Sequence, residues 1–316
     1  MMPGMRFGTL ALLFVIACGK DPMAGDDQPP TDAPGTTGDA YVPPTGYTRL
    51  IGRTWSLPVG AHDIYRCVRV TVPSDMYITN IEAQAPLGTH HTVLSIASGI
   101  AAGADGEYDC DVRTLGMVML YASGVGTSPL DFPSGVGIKI SAGQQIHLNL
   151  HLYNAGDTAL SGESAIWVKA QPTSPPTLAE MVFLGPLSFM IQPSTIDPSP
   201  QIVTHTCSAS SAYSLFAVWP HMHKLATHQK LELAHDTGST TQTTILHDMP
   251  YSFYEQTYWL KDPIVAVASG DRLTVTCSYD NTTGVAVPWG DSSDEEMCFA
   301  GLYRYPARNS GLFECF

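Results

Sequence analysis

Short runs of alternating apolar and polar residues, separated by turn-forming residues, fill the chain from about residue 50 onward. The first half contains "YRCVRVTVP", "MYITNIEAQ", "QIHLNLHLYN" and "SAIWVKAQP", and the second half continues with "SLFAVWPHMHKLA", "HQKLELAHD" and "DRLTVTCSYDN". β-Branched and aromatic residues at every second position predict half-buried strands. No window longer than about ten residues keeps a helical period without a breaker. The pattern therefore predicts an all-β protein.

A proline cluster divides this strand-rich region into two parts. The segment "AQPTSPPTLAE", residues 170–180, carries prolines at positions 172, 175 and 176. Many short strands with turns between them are typical of sandwiches and barrels. We therefore predict two consecutive antiparallel β-sandwich domains, jelly-roll-like in form, over residues 49–172 and 173–316.

The N-terminus has the pattern of an export signal. Arg6 is followed by the apolar run "LALLFVIAC", which ends at Cys18 and is too short to span a membrane as a helix. "VIAC" resembles a bacterial lipobox, so residues 1–18 are interpreted as a lipoprotein signal peptide and Cys18 as the lipidated residue; an ordinary signal peptide with a chance cysteine is the alternative. Residues 19–48, rich in Pro, Gly, Thr and Asp, predict a flexible tether. We expect an exported protein, lipid-anchored in a bacterial cell envelope.

Charge and cysteine content narrow the functional classes. The formal net charge is −14, and without a basic stripe the chain is not expected to bind nucleic acid. Of the seven cysteines, Cys18 is assigned to the anchor. The remaining six are an even number, which in an exported chain predicts three disulfides. None of them lies in a C-x-x-C pair, which argues against a zinc ribbon or a thioredoxin-like redox site. Two precede residue 111 and four follow residue 206, so each predicted domain is expected to be crosslinked separately.

One histidine pair has the spacing of metal ligands on a strand. His221 and His223, in "AVWPHMHKLA", lie two residues apart. Residues at this spacing share a face and lie about 6 to 7 Å apart, so two imidazoles can converge on one ion. The alternative is a pair of hydrogen-bonded histidines near a sheet rim.

Two further pairs are geometrically less simple. His147 and His151, in "IHLNLHLYN", share a face but lie about 13 Å apart when extended, so one of them is not expected to be a ligand. His90 and His91 are consecutive and would point to opposite faces of a regular strand. They can reach one metal only at a strand end or bulge, and the preceding "PLGT" supplies such an irregularity.

Taken in order, these motifs resemble the copper type II ascorbate-dependent monooxygenases, the family of peptidylglycine α-hydroxylating monooxygenase and dopamine β-monooxygenase. The resemblance extends from about residue 60 to 316, and "CSYDN" followed by Gly-Asp and "DEEMC" is its most specific part. The residues that carry it are His90, His91, His151 in "HLYN", His221, His223 and Met297.

The resemblance implies two copper ions per chain. His90, His91 and His151 would hold the electron-donating copper. His221, His223 and Met297 would hold the catalytic copper, where a thioether favours Cu(I), the form that binds dioxygen. His147 has no ligand role in this scheme. The implied disulfides are Cys67–Cys110, Cys207–Cys315 and Cys277–Cys298.

The implied reaction inserts one oxygen atom of O2 into an aliphatic or benzylic C–H bond of a small substrate, with ascorbate or another one-electron donor as reductant. Peptide-amidating members hold the peptide carboxylate with an arginine and a tyrosine, and this chain has Trp219 and Gly301 there. Peptide amidation is therefore not expected. The alternative function is a non-catalytic copper-binding or adhesive β-sandwich lipoprotein. A blue-copper carrier is disfavoured because every mature cysteine has an expected disulfide partner.

Overall fold

The computed structural model describes residues 41–97, 99, 102–111, 117–124, 127–253, 255–309 and 311–314. Within these residues the chain is all-β, contains no α-helix, and arranges nearly all of its strands in antiparallel sheets. The predicted fold class is confirmed. The described part also contains no helix long and apolar enough to cross a membrane.

Two sheets form the N-terminal part. One has the order β1-β10-β3-β8-β11, with β7 also paired to β3, and the other has the order β5-β2-β9-β4-β6. The strands are β1 (Thr48–Leu57), β2 (Ile64–Thr71), β3 (Met76–Gln84), β4 (Thr89–Ala97), β5 (Gly106–Asp109), β6 (Met117–Gly124), β7 (Leu130–Asp131), β8 (Val136–Ile140), β9 (Gln145–Leu152), β10 (Leu160–Gln171) and β11 (Thr177–Leu178).

The C-terminal part has two four-stranded sheets, with the orders β12-β21-β15-β18 and β14-β19-β16-β17, and a small β13-β20 pair. Its strands are β12 (Glu180–Leu184), β13 (Met190–Ile191), β14 (Gln201–Ser208), β15 (Tyr213–His221), β16 (Ala226–Asp236), β17 (Thr241–Pro250), β18 (Trp259–Val267), β19 (Arg272–Tyr279), β20 (Val287–Pro288) and β21 (Phe299–Tyr305).

Strand pairing changes partners between β11 and β12. β11 pairs in parallel with β8 of the N-terminal part, whereas β12 pairs with β21 of the C-terminal part. The change therefore falls at Ala179, just after the proline cluster. The division into domains at residues 172 and 173 stays a prediction.

Burial follows the alternation in the sequence where one face of a sheet meets the core. In β19, every second residue is buried, as a half-buried strand requires. β9, by contrast, is buried at every position because it lies between β2 and β4 and is covered on both faces.

An apolar seam joins the two parts of the molecule. The larger core cluster includes residues of both, among them Leu120 of β6 and Tyr303 of β21. The Tyr303 hydroxyl donates to the Leu120 carbonyl at 3.2 Å, and the Tyr258 hydroxyl hydrogen-bonds the backbone of Ala122. The candidate site lies at this seam.

Two of the disulfides that the resemblance implies are present. Cys67 of β2 is bonded to Cys110, and Cys277 of β19 is bonded to Cys298, the residue after Met297. The third implied pair, Cys207–Cys315, includes a residue outside the described part of the chain.

Candidate metal centre

The first histidine cluster is built by two neighbouring strands. His91 of β4 lies directly opposite His151 of β9, and the pairing of the two strands shifts register between Thr89 and His91. His90 is thus the bulged residue. The bulge turns two consecutive histidines towards the same point, as the sequence requires if both are to reach one ion.

The Nδ1 atoms of these histidines face one another. The Nδ1 atoms of His90 and His91 are 3.1 Å apart, and those of His91 and His151 are 3.4 Å apart. One ligand atom from each of the three residues lies within 4.8 Å of the others. Metal–nitrogen bonds of about 2.0–2.1 Å place tetrahedral ligand nitrogens about 3.3 Å apart. The spacing therefore fits a metal ion held by three imidazoles.

Two residues of the β2 region fix the orientation of His151. The Nε2–H of His151 donates to the Asp63 carboxylate at 2.8 Å, which leaves the lone pair of a neutral ring on Nδ1. The Tyr65 ring stacks on the His151 ring, with centroids 4.6 Å apart and planes 3° from parallel. A carboxylate behind a histidine is the usual support of a metal ligand.

Burial keeps His90 and His91 uncharged. Desolvation lowers the pKa of His90 to about 3 and lowers the pKa of His91 well below its ordinary value, and the charge of neighbouring His151 acts in the same direction. The hydrogen bond from His151 lowers the pKa of Asp63. Neutral imidazole is the form that binds metal, so His90 and His91 need lose no proton at pH 7.

The second set lies where β15 ends. His221 is the last residue of β15, opposite Phe299 of β21, and His223 follows two residues later. Met297 precedes β21, and its side chain is buried. The imidazole rings of His221 and His223 are 5.3 Å apart and nearly perpendicular.

Loop residues determine the tautomers of this pair. The Nδ1–H of His221 donates to Gln256 Oε1 at 3.1 Å, while Gln256 Nε2 donates to the Phe253 carbonyl and so fixes the orientation of the amide. The Nδ1–H of His223 donates to the Glu295 carbonyl at 3.0 Å. Both rings therefore carry their lone pair on Nε2, the opposite nitrogen from His151.

The second set is also held neutral. Desolvation lowers the pKa of His221 to about 3 and that of His223 to about 4. Burial raises the pKa of the nearby Glu296 carboxyl to about 7, although hydrogen bonds from three backbone N–H groups oppose this shift. Two neutral imidazoles and a thioether form a donor set that suits copper in its reduced state.

Both histidine sets reach one apolar cavity. A cavity of about 360 Å³ is lined by His91 of the first set and by His221, His223 and Met297 of the second. The Phe253 ring lies between the sets, 4.4 Å from the His90 ring and 6.4 Å from the His223 ring. Most other lining side chains are apolar or aromatic: Met117, Met119, Phe183, Leu187, Trp219, Trp289, Phe299, Leu312 and Phe313.

Trp219 has a packing position beside the site. Its side chain is 2% exposed, and its ring stacks on His221 at 4.8 Å with the planes 14° apart. Gly301 lies opposite Trp219, and a Cβ there would come within 3.2 Å of the Trp219 Cβ and within 2.6 Å of Met181. The small residue thus leaves room for the tryptophan.

His147 does not join the first cluster. It lies opposite Ser95 rather than His91, and its Nε2 is hydrogen-bonded to the Tyr108 hydroxyl at 2.8 Å. The hydrogen bond to Tyr108 gives the buried His147 ring a polar partner. Cys18, the predicted site of lipidation, lies outside the described residues.

The sequence reasoning missed the residues that orient the histidines. Asp63, Gln256 and Glu296 were not predicted as parts of the site. Glu296 precedes Met297 in the most specific motif, and this adjacency was the available signal. No local pattern points to Asp63 or Gln256, because their partners lie 88 and 35 residues away.

Comparison with known families agrees with this geometry. Residues 184–316 match the family model of the copper type II ascorbate-dependent monooxygenase C-terminal domain. The matched part of the chain, which carries His221, His223 and Met297, is similar to that domain. No curated protein matches the chain.

Among solved structures, the chain is similar to the major capsid protein P2 of bacteriophage PM2, with 9% identity, a TM-score of 0.35 and coverage of 83% of this chain and 100% of that one. It is also similar to a structure of the infectious bursal disease virus Gt strain, with 11% identity, a TM-score of 0.24 and coverage of 88% and 77%. Likenesses at these scores carry no inference about function.

Proposed function

We propose that the protein is a copper- and ascorbate-dependent monooxygenase that hydroxylates an aliphatic or benzylic C–H bond of a small substrate. The observation that carries this proposal is the shared cavity, which brings His91 together with His221, His223 and Met297. The match of the C-terminal domain to a monooxygenase family supports it.

The proposed ligands form two sets, one for each copper. His90, His91 and His151 would hold one copper through three imidazoles, and His221, His223 and Met297 would hold the other. Bound copper supplies the redox chemistry that activates dioxygen with electrons from ascorbate. The protein orients the imidazoles through hydrogen bonds to Asp63, Gln256 and Glu295, which support the ligands and would not bind the metal.

The cavity walls favour an apolar substrate. Aromatic and aliphatic side chains line the cavity around the second histidine set, and no arginine or lysine is among the lining residues in the described part of the chain. An anionic substrate group would find no arginine or lysine there. We therefore propose an aliphatic or benzylic substrate without an anionic group rather than a peptide carboxylate.

Oxygen uptake tests this function. The copper-loaded protein, given ascorbate and a panel of phenethylamines, other benzylic compounds and glycine-extended peptides, should consume oxygen and form a hydroxylated product with the apolar members. Omission of copper should abolish the product. Copper binding without turnover on any panel member would instead favour the non-catalytic copper-binding or adhesive lipoprotein.

We also propose that Cys18 anchors the exported protein to a bacterial membrane through lipid, as the "VIAC" motif predicts. A Cys18→Ser variant should leave the membrane fraction and become soluble. A variant that stays in the membrane fraction would reject the lipid anchor.

A further inference from the structure

Glu296 joins the two segments that carry His223 and Met297. Its side chain is completely buried. One carboxylate oxygen, Oε2, accepts the backbone N–H of His223 at 3.0 Å, and the other, Oε1, accepts the backbone N–H of Leu225 at 2.7 Å. The carboxylate therefore spans the turn after β15 from within the segment that ends at Met297.

The same segment holds the His223 ring. The Glu295 carbonyl accepts the Nδ1–H of His223, and the Met297 carbonyl accepts the Tyr279 hydroxyl at 2.6 Å. The residue after Met297 is fixed by the Cys277–Cys298 disulfide. Contacts on both sides of Glu296 thus limit the movement of the thioether, while its side chain fixes the histidine against it.

The chemistry of the contact requires an acid. Two N–H groups bind two different oxygens, and only a carboxylate offers two acceptor atoms at this length. A glutamine would keep one acceptor and place an NH2 group against a second donor. Burying a carboxylate without a cation is costly, and no salt bridge to Glu296 is present among the described residues.

We propose that Glu296 is a positioning residue that sets the separation of the His223 imidazole and the Met297 thioether. This role rests on the proposed function of the His221, His223 and Met297 set as a copper site. Glu296 contacts neither the substrate nor the metal in this role, and it acts through the backbone of the ligand-bearing turn.

Glu296→Gln tests the proposal, with Asp294→Asn as the matched control. Asp294 lies in the same segment, but its side chain is 78% exposed and pairs with Lys224 at the surface. Copper titration of the full chain should show about ten- to hundred-fold weaker binding at the second site in Glu296→Gln. X-ray absorption of the reduced protein should show loss of the copper–sulfur contribution, while the first site keeps its copper. Asp294→Asn should match the unmodified protein in both measurements.

A Met297→Leu variant separates this inference from the function on which it rests. If Met297→Leu keeps the copper–sulfur contribution, the site assignment itself fails. If Met297→Leu loses that contribution while folded Glu296→Gln keeps it at normal affinity, the positioning role is rejected. Should Glu296→Gln fail to fold, Glu296→Asp, which keeps the charge and shortens the reach, replaces it. Normal affinity and normal sulfur contribution in folded Glu296→Asp would equally overturn the role.

Discussion

The two histidine sets differ in what holds them. His91 and His151 lie opposite each other on paired strands, inside a sheet in which β9 has neighbours on both sides. His221 is the last residue of its strand, and His223 and Met297 lie beyond strand ends. The first set is built by sheet register, and the second depends on loops.

The supports differ accordingly. In the first set a side chain on the neighbouring strand region, Asp63, directs the lone pair of His151 to Nδ1. In the second, Gln256 and the Glu295 carbonyl direct the lone pairs to Nε2. Strand pairing places His91 opposite His151, whereas in the loop-built set each histidine relies on its own hydrogen bond.

The largest effect is expected from His151→Ala. This change removes one of three imidazoles from the sheet-built set, and the remaining pair should hold copper poorly. Metal analysis should fall from two coppers per chain to one, and turnover should be lost because one site cannot deliver electrons. A single copper in the fully loaded unmodified protein would overturn the assignment of two sites.

A nearly equal loss of turnover is expected from Met297→Leu. Leucine preserves the volume of this buried side chain, so the free energy of unfolding should change by less than about 1.5 kcal/mol. Hydroxylation should fall to background, and the first site should keep its copper.

Met222→Leu is the matched control for that change. Met222 is fully buried between His221 and His223 in sequence, but it belongs to the other core cluster. The Met222→Leu variant should keep both coppers and normal turnover. Near-normal turnover in Met297→Leu would remove the thioether from the site.

Sequence reasoning identified the clustered histidines better than the residues that orient them. Period-2 alternation predicted the strands, and the impossibility of two consecutive histidines facing one way predicted the irregularity at His90 and His91. Alternation could not choose between His147 and His151, because both share a face. Strand register makes the choice by placing His151 opposite His91 and His147 opposite Ser95.

The residues that orient the histidines could not be predicted from the sequence, for a physical reason. Hydrogen bonds such as Asp63 to His151 and Gln256 to His221 join residues 88 and 35 positions apart, and a single sequence contains no local trace of such pairs. Met297 lies in the acidic motif "DEEMC", yet its side chain is buried. Tertiary packing, not local composition, determines that burial.

A smaller effect is expected from removing one support at each site. Gln256→Ala should weaken copper binding at the loop-built site about 100-fold, and Asp63→Ala should weaken it at the sheet-built site only about 10-fold, within the range for such supports. The reason is that strand pairing and the Tyr65 stack still hold the His151 ring. Copper titration of each variant measures both values.

The exposed residues Gln242 and Asp157 provide controls, since Gln242→Ala and Asp157→Ala remove the same groups without touching either site. Equal losses of copper affinity in the Gln256→Ala and Asp63→Ala variants would show that strand pairing does not help to hold the His151 ring. The distinction between a sheet-built and a loop-built site would then be rejected.

The smallest effect is expected from His147→Gln, which shares β9 with His151 but not its site. Glutamine can still bond the Tyr108 hydroxyl, so copper content and turnover should be unchanged.

The pH dependence of the free energy of unfolding should differ between His147→Gln and the unmodified protein. Burial, assisted by the charge of Arg69, lowers the pKa of His147 to about 4 from its ordinary 6.5. Between these two pH values the unfolded chain therefore binds more protons than the folded protein. The contribution of neutral His147 to stability is complete above pH 6.5 and is lost as the pH falls towards 4. Urea unfolding of the copper-free proteins should show that acidification from about pH 7 to about pH 5 costs the unmodified protein roughly 2 kcal/mol more than His147→Gln. The other buried histidines titrate alike in both proteins and cancel in this difference. A copper loss in His147→Gln would mean that the first site extends along β9 further than strand register allows.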